Sequence, residues 1–351
     1  MAKTEEKYMQ RCLELASKSR ARVKPNPMVG CVIVHQNSII GEGYHIEYGK
    51  AHAEVNAINS VKDQELLKDS TLYVNLEPCA HHGKTPPCSD FIIAKQIKKV
   101  VIGCQDIYAE VAGKGIEKMR KAGIEVEVGI LEQESRDLNK EFFVFHSAKR
   151  PYILLKWAQT LDGYMDVIRH ADDPIGVNWI THPNLRLPVH KWRSEESAIL
   201  VGSGTANNDN PKLDVREWSG RNPLRILFAK SSEINPKINL LDDSITTLVF
   251  TNRHFDDMPN TSFYHLDFDN KPIEQMLAIL YQKDVQSIMV EGGQKMLQSF
   301  IDFNLWDEAR VLIGDKTFGN GLNAPKLHQK HKNNCRYSKD TIIHYSNNLW
   351  V

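Results

Sequence analysis

The sequence predicts an α/β protein made of two consecutive domains. The chain has 351 residues, and globular domains usually contain about 100–200 residues, so two domains are expected. In both halves of the chain, short apolar segments alternate with segments of helical periodicity, which is typical of layered α/β sheets. The alternation stops at a polar, basic stretch at residues 147–151 and then begins again. We therefore place the domains at residues 1–148 and 149–351.

Composition and charge exclude several classes of protein. The chain carries 44 Lys+Arg and 44 Asp+Glu residues, whereas nucleic-acid binding requires a basic excess. No apolar run approaches the ~18–20 residues of a transmembrane helix, and the N-terminus lacks the apolar core of a signal peptide. Six cysteines are too few for a disulfide scaffold, so closely spaced ones are better candidates for metal ligands or catalysts. We expect a cytoplasmic protein that binds neither nucleic acid nor membranes.

The first domain is predicted to begin with a helix and two adjacent strands before helices and strands alternate. Residues 5–19 show a helical period, which ends before Pro25 and Pro27. We predict strands at residues 28–34, 39–40, 71–76, 99–103 and 124–128, and helices at residues 51–60, 91–96, 115–122 and 131–146. Gly123 follows one of these helices at the position where glycine commonly ends a helix.

The second domain repeats the alternation of strands and helices. We predict strands at residues 152–157, 198–201, 224–228, 245–251, 286–290 and 309–313, and helices at residues 183–193, 272–282 and 294–303. In the last helix, Leu297, Phe300 and Ile301 share one face, which is expected to be buried. Residues 326–340 are polar and basic, and we interpret them as a loop or lid.

One histidine and two cysteines of the first domain form a metal-ligand pattern. His52 lies near the start of a predicted helix, Cys79 follows a predicted strand, and Cys88 precedes the next helix. One imidazole and two thiolates leave the fourth position of a tetrahedral zinc ion open, as in catalytic zinc sites. Zinc in such a site lowers the pKa of its water to about 7. We predict one Zn²⁺ per chain, held by His52, Cys79 and Cys88.

Glu54 is the predicted acid–base residue beside this metal. It lies two residues after His52 at the start of the same helix, so both side chains can face one pocket. Zinc deaminases carry an H-x-E segment followed by P-C-x-x-C, and the glutamate moves protons without binding the metal. This chain has His52-Ala53-Glu54 and Pro78-Cys79, but eight residues rather than two separate Cys79 from Cys88.

Longer segments around these residues resemble the bifunctional deaminase-reductase family of riboflavin biosynthesis. The segments are Pro25-Asn26-Pro27-Met28-Val29-Gly30, His52-Ala53-Glu54, Leu76-Glu77-Pro78-Cys79-Ala80-His81-His82-Gly83-Lys84-Thr85-Pro86-Pro87-Cys88 and Val111-Ala112-Gly113-Lys114-Gly115. The resemblance implies a cytidine-deaminase-like, three-layer α/β/α domain that deaminates a phosphoribosylated diaminopyrimidine. It also implies that Asn26, His45 and Lys84 contact this substrate, which suits an amide for the pyrimidine edge and a cation for the phosphate.

Several segments of the second domain resemble the reductase domain of the same family. They are Leu155-Lys156-Trp157-Ala158-Gln159-Thr160-Leu161-Asp162-Gly163, Trp179-Ile180-Thr181, Arg193, Gly202-Ser203-Gly204-Thr205, Asp209-Asn210-Pro211 and Val290-Glu291-Gly292-Gly293. The resemblance implies a dihydrofolate-reductase-like fold and NADPH-dependent reduction of the ribosyl chain to ribityl. The residues implied to face the substrate are Lys156, Arg193, Leu213, Arg216 and Glu291. Those implied to face the cofactor are Ala158, Trp179, Thr205, Asp209, Gly292 and Gly293.

Two glycine-containing segments support a dinucleotide site independently of the resemblance. Glu291-Gly292-Gly293 follows one predicted strand and opens a helix, and Gly202-Ser203-Gly204 follows another. Glycines at such positions let backbone N–H groups approach a phosphate. The second segment lacks the third glycine of the Rossmann fingerprint. Taken singly, each glycine pair is also compatible with a plain turn.

The chain departs from the family pattern near the predicted cofactor site. The loop between Gly163 and Trp179 is longer than usual, and Val177 replaces a residue that is often serine. Lys230 replaces a usual serine after the strand of residues 224–228, at the edge where such sheets bind ligands. A lysine there can meet a 2′-phosphate, so we add Lys230 to the predicted cofactor-binding residues.

We interpret the chain as a bifunctional enzyme with a small-molecule substrate, and we expect a homo-oligomer, either a dimer or a tetramer. Two alternatives stay open at this point. One is a deaminase that carries a degenerate reductase-like domain. The other is a non-catalytic zinc protein that binds a partner or nucleic acid, in which His81 or His82 would close the fourth zinc position.

Overall fold

The structure is a computed structural model that describes residues 2–20, 22–80, 86–108, 111–170 and 173–347. Contacts between Cα atoms divide the chain into two compact units, Met1–Ala148 and Lys149–Val351, each with its own sheet and core. Among the residues in these ranges, no helix combines the length and the apolar character needed to cross a bilayer.

The first unit is built on a mixed five-stranded sheet. Its strands are β1 (Gly30–His35), β2 (Ser38–Tyr44), β3 (Thr71–Leu76), β4 (Lys99–Cys104) and β5 (Glu125–Val128). They lie in the order β2-β1-β3-β4-β5, with β1 antiparallel to both of its neighbours and β3, β4 and β5 mutually parallel. The carboxyl ends of β3 and β4 therefore lie at the same edge of the sheet.

Helices cover both faces of this sheet. They are α1 (Ala2–Ser17), α2 (Ala53–Ser60), α3 (Cys88–Ala94), α4 (Lys114–Lys121), α5 (Glu132–Leu138) and α6 (Lys140–Ala148). Alternate side chains of β1 point to opposite faces, as the pleat of a strand requires. Cys31 and Ile33 join the core beneath α2, α3 and α4, whereas Val32 and Val34 pack with α1. The predicted α/β/α layering of this domain is confirmed.

The predicted single helix of residues 131–146 is wrong, because the structure has two helices that meet at Asn139. The Asn139 side chain is buried and binds the backbone of Met28 twice. Its Oδ1 accepts a hydrogen bond from the Met28 N–H at 2.7 Å, and its Nδ2 donates to the Met28 carbonyl at 2.9 Å. Met28 and Asn139 are 111 residues apart in sequence. Their contact fixes the break between α5 and α6, and because it joins distant residues it leaves no periodic signal in the sequence.

The second unit contains a nine-stranded sheet. Its strands are β6 (Tyr152–Gln159), β8 (Ala198–Gly202), β9 (Leu224–Phe228), β10 (Thr247–Thr251), β11 (Thr261–His265), β12 (Ser287–Gly292), β13 (Glu308–Ile313), β15 (Asn333–Tyr337) and β16 (Asp340–Ser346). The order is β11-β10-β9-β8-β12-β6-β13-β16-β15, parallel from β11 to β13 and antiparallel thereafter. Two short strands, β7 (Tyr164–Asp166) and β14 (Leu322–Asn323), form a separate antiparallel pair.

Within the described part of the second unit, four α-helices accompany the large sheet. They are α7 (Arg186–Glu195), α8 (Ser203–Asp209), α9 (Pro272–Gln282) and α10 (Gln294–Asp302). The main core lies between the sheet and the apolar faces of α9 and α10, where Leu297 and Phe300 are fully buried and Ile301 packs beside them. The shared face predicted for these three residues is confirmed.

The C-terminal segment corrects a second expectation. Residues 326–340 were expected to form a loop or lid, but they contain all of β15 and the start of β16. Every residue of β15 is exposed, so this edge strand lacks the alternation of apolar and polar residues that identifies strands. Helix α8 is also missing from the predicted elements, because its Ser, Gly and Asn residues are poor helix formers.

Candidate functional site

The structure brings His52, Cys79 and Cys88 together at one edge of the first sheet. His52 is the N-cap of α2, Cys88 is the first residue of α3, and Cys79 follows the end of β3. The His52 Nδ1 lies 3.3 Å from the Cys88 Sγ and 3.6 Å from the Cys79 Sγ. One ligand atom from each residue lies within 4.8 Å of the others, and no second group of this kind occurs among the described residues.

This donor set fits zinc. Cys79 is partly exposed and Cys88 is buried. A hydrogen bond from the Cys88 thiol, together with one from His52, lowers the pKa of Cys79 to about 4 against the opposing effect of burial. A thiolate is therefore already favoured at this position, and thiolate is the form that binds metal. One nitrogen and two sulfur donors match the three-ligand sites that leave a zinc coordination position for reaction.

Glu54 lies in the first turn of α2 and is only 3% exposed. Burial raises the pKa of its carboxyl group to about 7, and the negative charge of Cys79 acts in the same direction. It is not a member of the three-residue ligand group. The structure thus places a buried carboxyl group beside the candidate metal site, as the H-x-E spacing predicts.

Asn26 and His45 also reach this site. The His45 ring meets the His52 ring edge to face, with ring centroids 5.3 Å apart. The His45 Nδ1 lies 3.1 Å from the Ala51 carbonyl oxygen, so this nitrogen carries the proton and donates. The His45 Nε2 is then the acceptor for the Asn26 Nδ2 at 3.1 Å. Lys84, His81 and His82 lie outside the described residues, so the roles predicted for them stay predictions.

The second unit has a cavity of about 550 Å³ at the carboxyl ends of the adjacent strands β9, β8, β12 and β6. This is the edge at which parallel sheets bind ligands. The residues predicted for substrate or cofactor that line this cavity are Lys156, Ala158, Thr205, Asp209, Lys230, Glu291, Gly292 and Gly293. Side chains from four separated segments of sequence therefore meet around one space.

The two glycine-containing segments touch each other in this cavity. A Cβ atom on Gly292 would lie 2.8 Å from the Thr205 Oγ1, so no larger residue fits there without displacement. Gly293 has a φ of +81°, a left-handed conformation that disfavours other residues. The end of β12 and the start of α8 thus approach closely, and they present backbone groups to the cavity.

Glu291 organises a buried cluster of charges beside the cavity. The Arg193 guanidinium makes a bidentate pair with this carboxylate. Its Nε lies 2.6 Å from Oε1, and its Nη2 lies 2.7 Å from Oε2. The Lys156 Nζ lies 3.8 Å from the Glu291 Oε2. Burial alone would raise the pKa of Glu291, but Arg193 and Lys156 outweigh it and hold this pKa at about 2. Arg193 is committed to Glu291, whereas Lys156 also lines the cavity.

Four predicted residues, Trp179, Arg193, Leu213 and Arg216, do not line this cavity. Trp179 is 46% exposed, and the Arg186 guanidinium lies 3.9 Å from the centroid of its ring system. Leu213 is buried with a φ of +50°, and Arg216 pairs with Asp214. These four side chains are therefore not part of the cavity lining, although Arg193 binds Glu291, which is.

Arg169 is a residue of this site that sequence reasoning missed. It lies in the long segment between Gly163 and Trp179 and lines the cavity. Its guanidinium binds Asp166 at 2.8 Å and Asp209 at 3.0 Å, and it also donates to the Gly176 carbonyl at 2.8 Å. The unusual length of the loop was the one available signal, but length alone does not indicate which side chain turns inward.

Comparisons with known proteins cover both units. The family described as the cytidine and deoxycytidylate deaminase zinc-binding region matches residues 2–104. The family described as the RibD C-terminal domain matches residues 151–349. A similar curated relative is the riboflavin biosynthesis protein RibD of Aquifex aeolicus, 39% identical over 91% of this chain and 89% of the relative. The protein of that name from Bacillus amyloliquefaciens is 38% identical over 92% and 87% of the two chains.

Solved structures give the same result. A deaminase/reductase from Thermotoga maritima, described as acting on diaminohydroxyphosphoribosylaminopyrimidine and 5-amino-6-(5-phosphoribosylamino)uracil, has a TM-score of 0.88 at 38% identity, with 98% of each chain covered. RibD of Acinetobacter baumannii has a TM-score of 0.87 at 29% identity, with 99% of each chain covered. These matches confirm the cytidine-deaminase-like and dihydrofolate-reductase-like folds of the two units, and they favour an enzyme over a non-catalytic zinc protein. The chain belongs to the family of bifunctional deaminase-reductases of riboflavin biosynthesis.

Proposed function

We propose that the first unit hydrolytically deaminates 2,5-diamino-6-ribosylamino-4(3H)-pyrimidinone 5′-phosphate and that the second unit reduces the ribosyl chain of the product with NADPH. The observation that carries the proposal is the convergence of His52, Cys79 and Cys88 within 4.8 Å beside the buried Glu54. The description of the Thermotoga maritima protein, which names both reactions, supports the same substrates.

In the deaminase unit, His52, Cys79 and Cys88 would hold zinc. When bound there, zinc supplies a water molecule acidic enough to react near neutral pH. Glu54 takes up a proton from the attacking water and delivers it to the leaving amino group, the role of the H-x-E glutamate in zinc deaminases. Asn26, whose amide nitrogen donates to His45, offers its carbonyl oxygen to a donor on the pyrimidine. Lys84 is proposed to bind the substrate phosphate.

In the reductase unit, a nicotinamide cofactor supplies the hydride. We propose that the backbone near Thr205, Gly292 and Gly293 binds its phosphates, with Ala158, Trp179 and Asp209 as further cofactor contacts. Lys156 is the cation that meets the ribose or phosphate of the substrate, because it lines the cavity while Arg193 holds Glu291. Leu213 and Arg216 are proposed to complete the substrate side, as the family resemblance implies.

The oligomeric state and the cellular location of the protein are also proposed. A homo-oligomer, dimer or tetramer, is proposed from the family resemblance, and analytical ultracentrifugation of the purified protein tests it. A single monomeric species at micromolar concentration would refute it. A cytoplasmic location is also proposed, and fractionation of cells that produce the protein tests it.

The decisive experiment assays both half-reactions on the purified chain with its zinc content measured. The intact protein should convert both substrates, with one zinc per chain. Because the chain forms two compact units, we expect a fragment of residues 1–148 to retain zinc-dependent deamination and a fragment of residues 149–351 to retain NADPH binding. Cofactor binding without turnover of the deaminated substrate would instead indicate a degenerate reductase domain.

Lys230 should contribute to the preference for NADPH over NADH. It lies in the cavity wall after β9, and its side chain makes no hydrogen bond or ion pair with another described residue. Its exposed ammonium group can therefore pair with a 2′-phosphate, a contact worth up to about 1 kcal/mol. Lys230→Ala should raise the KM for NADPH several-fold and leave the KM for NADH almost unchanged.

The matched control for this measurement is Lys237→Ala. Lys237 is an exposed lysine of the same segment and does not line the cavity, so its loss should change neither KM. Equal increases for both cofactors in Lys230→Ala would show that the lysine acts through folding and not through the 2′-phosphate.

A further inference from the structure

The segment Val111–Gly115 resembles the family in sequence, yet none of its residues has a role in the function proposed above. It forms the turn that leads into α4, with Gly113 as the N-cap at a φ of +76°. The first N–H groups of a helix have no partner within the helix and must find one elsewhere. In this unit the partner comes from the segment that carries the zinc ligand Cys79.

That partner is Glu77, a carboxylate that is only 4% exposed. Its Oε1 accepts hydrogen bonds from the N–H groups of Gly115 at 3.0 Å and Ile116 at 3.2 Å. Its Oε2 accepts from Gly113 at 3.0 Å and from Asp106 at 3.3 Å. Four backbone donors therefore surround one side chain, and three of them belong to the start of α4. The negative charge also suits the positive end of the helix dipole.

Gly115 makes a second, independent contact with the same segment. A Cβ atom at this position would lie 2.1 Å from the carbonyl oxygen of Pro78, a distance at which no side chain fits. The backbone just before Cys79 thus packs directly against the first turn of α4. The same segment is also bound to β4. The Glu77 N–H donates to the Cys104 carbonyl at 3.0 Å, and this hydrogen bond continues the pairing of β3 with β4.

Cys79 has special need of such support. His52 caps α2 and Cys88 begins α3, so both lie at helix ends, whereas Cys79 lies on neither a helix nor a strand. Its Sγ accepts a hydrogen bond from the Cys88 N–H at 3.3 Å, which links it to α3. The contacts of Glu77 and Pro78 link it to α4 and to β4.

We propose that Glu77 is a positioning residue of the zinc site, which binds the glycine turn at the start of α4 and thereby fixes Cys79 opposite His52 and Cys88. The inference rests on the proposed function, because it assumes that these three residues hold zinc. Residues that orient metal ligands in this indirect way commonly contribute 10–100-fold to metal affinity.

Glu77→Gln is the most direct test, because it keeps the shape of the side chain. The new amide NH₂ would face two backbone N–H donors in place of an acceptor oxygen. We expect the zinc dissociation constant of the full chain, measured by competition with a chromogenic chelator, to rise about 10–100-fold. The visible spectrum of the Co²⁺-substituted protein should also change, because it reports the geometry of the sulfur and nitrogen ligands.

Two further variants make the result specific. Gly115→Ala reaches the same contact from α4 and leaves Glu77 intact, so it should weaken zinc binding in the same direction. Glu117→Gln is the matched control, because it also removes one negative charge at the first turn of α4. Glu117 is exposed and pairs with Lys121, so this substitution should leave the zinc affinity unchanged. Circular dichroism and the thermal unfolding of a fragment of residues 1–148 carrying each substitution report whether the first unit is folded, and reductase turnover reports the same for the second.

The outcomes separate this inference from the proposed function. A folded Glu77→Gln variant with parental zinc affinity and an unchanged Co²⁺ spectrum would overturn the inference alone. So would a melting temperature that falls equally with and without zinc, because a metal-positioning role must appear in the zinc-dependent part of stability. A parent protein that binds no zinc would overturn the proposed function and the inference together.

Discussion

Glu54→Gln should leave the zinc content of the protein unchanged and lower the rate of deamination by two to four orders of magnitude. Glu54 is buried beside the three candidate zinc ligands but is not one of them. Glutamine keeps the size of the side chain and cannot carry a proton between water and the leaving amino group. Positioned acid–base groups typically contribute 10²–10⁴-fold to a rate.

Single-turnover deamination together with zinc analysis checks this prediction. Glu65→Gln is a matched control, because Glu65 is an exposed glutamate of the same unit that pairs with Lys68 at the surface. Reductase activity of Glu54→Gln should equal that of the parent. Near-normal deamination in a zinc-loaded Glu54→Gln protein would assign the proton transfer to another group.

Cys79→Ser and Cys88→Ser should each abolish stoichiometric zinc binding and deamination while reduction continues. A serine hydroxyl stays protonated near neutral pH, whereas a zinc ligand must be deprotonated. Loss of a direct ligand should weaken zinc binding by more than the 10–100-fold typical of residues behind the ligands. Cys79 is partly exposed and Cys88 is buried, but we expect the same loss of zinc from both variants, because each removes one ligand.

Metal analysis after dialysis against a weak chelator gives the zinc-to-protein ratio for each variant. Cys335→Ser is the control, because Cys335 is the exposed cysteine of the second unit and lies far along the chain from the site. Full zinc occupancy in both Cys79→Ser and Cys88→Ser would refute the proposed ligand set.

The zinc site could be predicted from the sequence because its residues lie in short motifs. His52-Ala53-Glu54 and Pro78-Cys79 each place their chemistry within a few residues, and the predicted strands and helices around them are present. The contacts behind those motifs were not predictable. The hydrogen bonds that the Gly113 and Gly115 N–H groups donate to Glu77 span 36 and 38 residues, and such pairings leave no periodic pattern in the chain.

The cavity of the second unit was predictable in outline and less so in detail. The glycine segments after β8 and β12 indicated where a ligand would lie, because parallel strands end at a common edge. Arg193 and Lys156 both appeared as cations available for a phosphate. In the structure Arg193 makes a bidentate pair with Glu291, and the Lys156 Nζ lies 3.8 Å from the same carboxylate. Only three-dimensional proximity shows that Arg193 is the more closely engaged of the two cations and that Lys156 also lines the cavity.

The separate anchoring of Cys79 and Cys88 has a consequence for how such a site can vary. The Cys88 N–H donates to the Cys79 Sγ at 3.3 Å, so the ends of the intervening segment are already held together. The extra cost of a longer segment is then mainly the entropy of loop closure, which grows by about 0.6 kcal/mol for each doubling in length. Eight residues instead of two between the cysteines amount to two doublings, or about 1.2 kcal/mol. Insertions at this point can therefore accumulate and reshape substrate recognition while both sulfur atoms keep their places.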